Sequence, residues 1–214
     1  MAEVIPLFPL QLVAYPEERI PLHIFEDRYQ QLIQDCEEEN ITFGIPAVVD
    51  DEIKYGTEIT LDSVINRYEN GSSDIICKAG RVFKVKEFYN PLGTKLYAGG
   101  MVDWLDNADD GTTEQRELLF QRICELYRLI NTEIPEGQTA VINSYQYAHK
   151  IGMSIKQEHD LLGVTSEYER LEFMINHINQ IIPVLDEVNR TKSIIQMNGH
   201  FRNYDPLDFK DFNL

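Results

Sequence analysis

Ile20-Pro21-Leu22-His23-Ile24-Phe25-Glu26-Asp27-Arg28-Tyr29-Gln30-Gln31-Leu32-Ile33 changes its hydrophobic period partway along. Ile20, Leu22 and Ile24 alternate with Pro21, His23 and Phe25, which is the period-2 pattern of a pleated strand. Phe25, Tyr29, Leu32, Ile33 and Cys36 then recur at helical spacing and make one apolar stripe. Glu26 and Asp27 stand where the positive end of a helix favours acids. One short run therefore predicts a strand entering a sheet and a helix laid back across it.

Outward from this run the chain to about residue 110 reads as mainly β. Ile41–Val49 is a strand candidate interrupted at Gly44 and Pro46, hence bulged or at an edge. Thr57–Tyr68 and Ser73–Lys78 flank Asn70-Gly71, a type I′ hairpin signal. Val82–Phe88 alternates. Asn90-Pro91-Leu92-Gly93 reads as a turn, and Thr94–Trp104 as a last strand loosened at Gly99-Gly100. Short strands at this spacing around a single helix suggest a small closed or nearly closed barrel.

Asn107–Gly111 is polar and turn-rich and marks the expected boundary, after which the period becomes 3.6. Thr112 with Gln115, Ser154 with Gln157 and Ser166 with Glu169 have capping-box spacing. They open helices that run to about Thr132, to Gly163 and through a long stripe from Leu171 to Val188. Another helix is expected over Thr139–Lys150, after a break at 134–137. Pro183 should kink the longest helix, and Gly199 should end it.

Ile5-Pro6-Leu7-Phe8-Pro9-Leu10, then Tyr15-Pro16, then Ile20 to Tyr29 resembles the start of the N-terminal, substrate-binding domain of Lon proteases. The closest likeness is to stand-alone proteins built from that domain. Those usually read Phe-Glu-Pro-Arg-Tyr, and Asp27 here takes the Pro place. Gly56-Thr57, Asn70-Gly71, Arg81-Val82-Phe83-Lys84-Val85 and Glu169-Arg170-Leu171 also resemble family features, so the likeness spans roughly residues 4–195.

The resemblance implies an α+β fold. A PUA-like β pseudobarrel with one packed helix (1–110) would precede a four-helix region with one long kinked helix (111–200) and an extended tail (201–214). It further implies a non-enzymatic module that holds unfolded or tagged polypeptides, with a protease or chaperone as a docking partner. An apolar groove with polar anchors where barrel and helices meet would suit that role, as would pairing of an extended peptide with a free sheet edge. The candidate peptide-binding residues are Phe25, Tyr29, Phe88, Tyr89, Trp104, Tyr145 and Tyr147. Tyr145 and Tyr147 gain weight from Asn143 and Gln146 beside them.

Composition narrows the alternatives. The 214 residues carry a net charge of −17. Residues 1–111 hold 9 Lys and Arg against 21 Asp and Glu, and residues 112–214 hold 10 against 15, so both halves are acidic. Such a surface repels nucleic-acid phosphates and anionic lipid. An RNA-binding PUA-like protein remains the alternative, with Lys78, Arg81, Lys84 and Lys86 as the one basic stretch; an unrecognised enzyme is another. No phosphate-cradling Gly-x-x-x-x-Gly-Lys-Ser/Thr loop, Gly-x-Ser-x-Gly elbow, His-Glu-x-x-His or Cys-x-x-Cys occurs. Ser193 and Lys192 are helix neighbours pointing apart.

His23, His149, His159, His177 and His200 are scattered and read as packed or surface histidines. Asp106–Gly111 with Glu117 is a poor calcium loop, because Ala108 takes a ligand position. No cofactor and no metal is therefore expected. The three dispersed cysteines fit a reducing compartment. Met1–Pro6 lacks a basic n-region and an apolar run, so the expected localisation is cytoplasmic, without a signal peptide or membrane anchor.

Overall fold

The computed structural model describes residues 2–133 and 142–201. Six strands form one sheet: β1 (Ala2–Leu7), β2 (Arg19–Ile24), β3 (Phe43–Val49), β4 (Glu52–Arg67), β5 (Ser73–Tyr89) and β6 (Ala98–Trp104). Their order is β2-β5-β4-β3-β1-β6, and β5 pairs with β6 as well. That second pairing closes a ring of β1, β3, β4, β5 and β6. β5 is long enough to do this because its two halves take different partners. Ile75 and Cys77 lie opposite Leu22 and Ile20 of β2, while Phe83 and Val85 lie opposite Trp104 and Val102 of β6. The two segments expected at Ser73–Lys78 and Val82–Phe88 are thus one strand.

β2 obeys its alternation. Ile24 is buried, and Phe25, one residue on, is 64% exposed. Phe25 lies after the last residue of β2 and before the extended N-cap Glu26, outside the helix, so it stays exposed instead of opening the helical stripe. Helix α1 (Asp27–Glu39) buries Tyr29, Leu32, Ile33 and Cys36 against Phe43, Ile59, Ile75 and Cys77. Each such side chain contributes roughly 1.5–3 kcal/mol. The helix ends where Asn40 takes the left-handed conformation, φ 54°.

Two expectations near the hairpin and β3 resolve physically. Tyr68 O accepts from Gly71 N at 3.0 Å and Tyr68 N donates to Ser72 O at 2.9 Å; Gly71 has φ 85°, and Asn70 is not among the positive-φ residues. The turn is therefore a three-residue loop with a glycine bulge, not the two-residue type I′ turn. β3 is bulged between Pro46 and Val48, as its Pro suggested, but it lies inside the ring. The Gly56-Thr57 pair also has a physical basis. A Cβ on Gly56 would fall 2.5 Å from Pro46 Cα, and Thr57 Oγ1 donates to Ala14 O at 2.5 Å in a fully buried position.

Helices follow the sheet. α2 (Thr113–Leu129) and α3 (Ile155–Leu162) both open on the expected capping boxes. α4 (Glu167–Phe201) continues past Pro183 and through Gly199, which does not end it. Its start is capped across the chain: Ser166 Oγ accepts from Glu169 N at 3.2 Å, while Asp110 accepts from Ser166 Oγ and Tyr168 N. Asp110 is thus occupied in stitching the connection onto α4.

Where an α-helix was expected over Thr139–Lys150, the described part forms two 3-10 turns, Ser144–Gln146 and Ala148–Lys150. Residues 139–141, the break at 134–137 and the tail from 202 lie outside the described residues. One apolar cluster joins helices to sheet: Tyr15, Val49 and Val82 pack with Leu119, Ile123, Leu162, Leu171, Met174 and Tyr145.

Candidate functional site

The 3-10 turns face the loop that precedes β2, and a groove lies between them. Tyr15-Pro16-Glu17-Glu18 is a β-turn closed by Glu18 N donating to Tyr15 O at 3.2 Å. Glu17 holds φ 70°, the value glycine normally supplies at the third position of a type II turn. The Glu18 carboxylate accepts from Tyr15 N at 2.9 Å and fixes the turn from inside.

Opposite stands the 3-10 segment, opened by an Asn143–Gln146 capping box. The Tyr145 ring stacks on Tyr15, centroids 5.1 Å apart, and His149 packs on Tyr15 at 4.7 Å. The resulting groove of about 550 Å³ is lined by Pro16, Glu17, Tyr145, Tyr147, His149 and Lys150, with Asn143 and Gln146 on its rim. A second lobe of about 440 Å³ shares Pro16 and Glu17 and runs on to Glu58, Arg81, Leu105 and Asp106.

The electrostatics differ between lobes. His149 lies between Glu18 Oε1 at 3.4 Å and Glu158 Oε1 at 2.9 Å. Glu18 foremost, then Glu158, pushes its imidazole up to about 9 against the burial that would lower it. It is a cation at neutral pH, compensated by two carboxylates. In the second lobe Arg81 binds Glu58 through Nε at 2.8 Å and Nη2 at 3.1 Å, and its guanidinium lies 3.9 Å from the Trp104 ring centroid. That pairing holds the Glu58 carboxyl below the usual range. Lys150 and Asp106 have no ion-pair partner among the described residues.

What holds the aromatic wall is a buried ion pair. Glu167 and Arg170 are 1% and 3% exposed. Glu167 accepts from Ser144 N at 2.8 Å and Ser144 Oγ at 2.7 Å; Arg170 reaches Glu167 Oε2 at 2.9 Å through Nε and 2.8 Å through Nη2. The Arg170 guanidinium also lies 4.6 Å from the Tyr145 ring centroid and donates to Val164 O at 2.7 Å. Arg116 adds a bond to Ile142 O. The Arg of the Glu169-Arg170-Leu171 motif thus anchors α4 to the turn that carries Tyr145.

Of the seven candidates, the groove brings together Tyr145 and Tyr147, with Trp104 adjoining the second lobe through Arg81. Tyr29 is core, stacked on Phe8 at 3.7 Å. Phe88 and Tyr89 sit at the far end of β5, where Tyr89 Oη donates to Glu87. Phe25 stands on another face, 6.0 Å from the His23 ring.

Glu17, Glu18, His149 and Arg170 carry no local signal of a site. Only the Tyr15-Pro16 and Glu169-Arg170-Leu171 resemblances touched them. The free-edge route narrows as well: among the described residues the pairing leaves open the outer sides of β2 and of β4 beyond Ile59, and the side of β1 away from β6 before Leu7. β2 carries Pro21 there, and β4 two bulges, both of which discourage strand addition. Among the described residues, no cluster of three His, Cys, Asp or Glu could hold a metal ion, and no helix is long and apolar enough to cross a membrane. Cys36, Cys77 and Cys124 are free and buried.

The family model of the ATP-dependent protease La (LON) substrate-binding domain matches residues 4–180. The crystal structure of a Lon N-terminal domain protein from Xanthomonas campestris is similar at 25% identity and a TM-score of 0.64, covering 81% of this chain and 98% of that one. The N-terminal domain of the Mycobacterium avium complex Lon protease, 15% identical with a TM-score of 0.59 over 83% of this chain and 98% of that one, shares the fold. No curated protein matches the chain.

Proposed function

The chain belongs to the family of the Lon substrate-binding domain, and from that premise we propose that it is a non-enzymatic module which grips exposed segments of other polypeptides in the groove between sheet and helices. The observation that carries this reading is the groove itself. It is concave and aromatic-walled, rimmed by amides and charges, and held by a buried ion pair instead of by flexible loops. An extended segment laid there covers Pro16 and the remaining edges of Tyr145 and Tyr147, 5% and 8% exposed, while its backbone meets Asn143 and Gln146 on the rim.

We read residues 1–110 and 111–200 as two units whose seam forms the site. Three buried free thiols suit work in a reducing compartment such as the cytoplasm. A protease or chaperone that receives the held segment is the natural partner of such a module.

The test is direct binding. The protein is titrated into a labelled, permanently unfolded polypeptide and, separately, into its native counterpart and a structured RNA. Binding of the unfolded chain alone, lost in Gln146→Trp, which fills the groove from its exposed rim, is the expected result. Binding of RNA alone would defeat the reading.

A further inference from the structure

We propose that the groove selects extended segments in which an aromatic or large apolar side chain is followed, two residues on, by lysine or arginine. The first fills the Tyr145–Tyr147 lobe, and the second enters the lobe beyond Glu17. The inference rests on the polypeptide-binding reading above and adds to it the chemistry of the segment.

Residues i and i+2 of an extended chain project to the same side, about 7 Å apart. Two adjoining lobes that share the Pro16–Glu17 ridge suit such a pair. The first lobe has ring walls, and its one compensated cation, His149, is already held by Glu18 and Glu158. Lys150 lies over the Tyr147 ring, 5.4 Å from its centroid, so it faces the aromatic member of the pair.

The second lobe is different. Glu17, Glu58 and Asp106 line it with Arg81 as the cation among them. Arg81 is spent: its Nε and Nη2 are on Glu58 and its face is on Trp104. Asp106 has no ion pair among the described residues, and Glu17 has only Lys78, at 2.8 Å, with side chains 79% and 52% exposed. Such an exposed pair is weak and exchangeable. An incoming ammonium or guanidinium therefore finds two available carboxylates beside the half-buried Leu105, which can cover part of its methylene stem. The net charge of −17 steers cationic segments toward the protein from a distance.

The experiment uses the full chain and dye-labelled twelve-residue peptides of Gly and Ser. They differ only in carrying Phe-Ser-Lys, Phe-Ser-Gln, Phe-Ser-Glu or Ala-Ser-Lys at the centre, and anisotropy is read in low and high salt. The Phe-Ser-Lys peptide should bind tightest. Phe-Ser-Glu should be weaker by about fivefold or more at low ionic strength, with the gap closing at about 0.5 M salt. Glu17→Gln with Asp106→Asn, both at exposed positions, should shrink that gap, the Phe-Ser-Lys affinity falling toward that of Phe-Ser-Gln.

Equal affinities for the Lys and Glu peptides, or a gap the double variant leaves intact, would overturn the inference while the unfolded chain still binds. Peptides that fail to compete with a bound unfolded chain would place its site elsewhere and overturn the inference too. So would peptide binding that weakens as protein concentration rises, the mark of a second copy in the groove. Failure of the unfolded chain itself to bind would instead sink the earlier reading.

Discussion

Arg170→Met removes the nearer cation of the buried ion pair and leaves Glu167, 1% exposed, with Arg116 at 3.5 Å as its remaining cation among the described residues. Breaking a buried pair from one side costs about 3–5 kcal/mol. The lower end applies here, because Glu167 keeps both Ser144 bonds, at 2.8 and 2.7 Å, and Arg116 stays 3.5 Å away. Val164 O also loses its donor. The expected loss is ~3 kcal/mol, which for a chain of this size lowers Tm by about 6–12 °C.

Urea unfolding should show a lower midpoint with an unchanged slope. Adding Glu167→Gln removes the stranded charge, so the double variant should be more stable than Arg170→Met alone, with a coupling energy above about 1 kcal/mol. Because the pair holds the turn of Tyr145, Arg170→Met should also weaken peptide binding at a temperature where the protein is still folded. A cost below ~1 kcal/mol for the single change, or strict additivity of the two, would refute the reasoning.

Three further outcomes follow from the geometry. His149 has a folded pKa of about 9, above its ordinary 6.5, so its contribution to stability is full below about pH 6.5 and is lost as pH rises through 9. With about a third of the side chain open to water, the loss is roughly 1 kcal/mol. Urea midpoints at pH 6 and pH 9.5 should show it, and His149→Asn should flatten the difference. Tyr97→Phe deprives the buried Asp35 of a 2.6 Å donor and leaves it only Lys95 at 2.7 Å; thermal unfolding should report a loss of about 1.5–3 kcal/mol. Gly56→Ala drives a methyl group into the backbone of β3, 2.6 Å from Ile45 O, and the Phe83 ring. A cost of about 1–3 kcal/mol or more is expected in chemical denaturation, although alanine has the better intrinsic strand conformation.

Local pattern carried much of this fold. The switch from period 2 to period 3.6 at Ile24–Asp27 placed β2 and α1, and two of the capping boxes placed α2 and α3. A small closed or nearly closed barrel was expected; the way its ring closes was not legible, because it depends on β5 giving its two halves to different partners, a choice made by tertiary packing. Nor were the 3-10 turns of 144–150. Their Asn143–Gln146 box looks like the opening of an α-helix, yet burial of Tyr145, Tyr147 and Ala148 against Tyr15 fixes a tighter path.

The site was legible only in part. Tyr145 and Tyr147 were visible as aromatics beside amides, but their counterpart at Pro16–Glu18 lies far away in sequence, and no local periodicity connects the two. Arg170 stood in the sequence only within the Glu169-Arg170-Leu171 resemblance; burial beside Glu167 is what reveals its role. Phe25 was misplaced because the helix begins only at Asp27, after the extended N-cap Glu26, so Phe25 falls outside its apolar stripe.

The central claim is that the groove between sheet and helices is where other polypeptides are held. The most direct measurement is a backbone amide TROSY titration of the protein with a permanently unfolded polypeptide. Shifts concentrated at Glu17, Glu18, Tyr147, His149 and Lys150 are predicted. Shifts confined to the Phe25–His23–Tyr68 face, with the groove amides unmoved, would contradict the account.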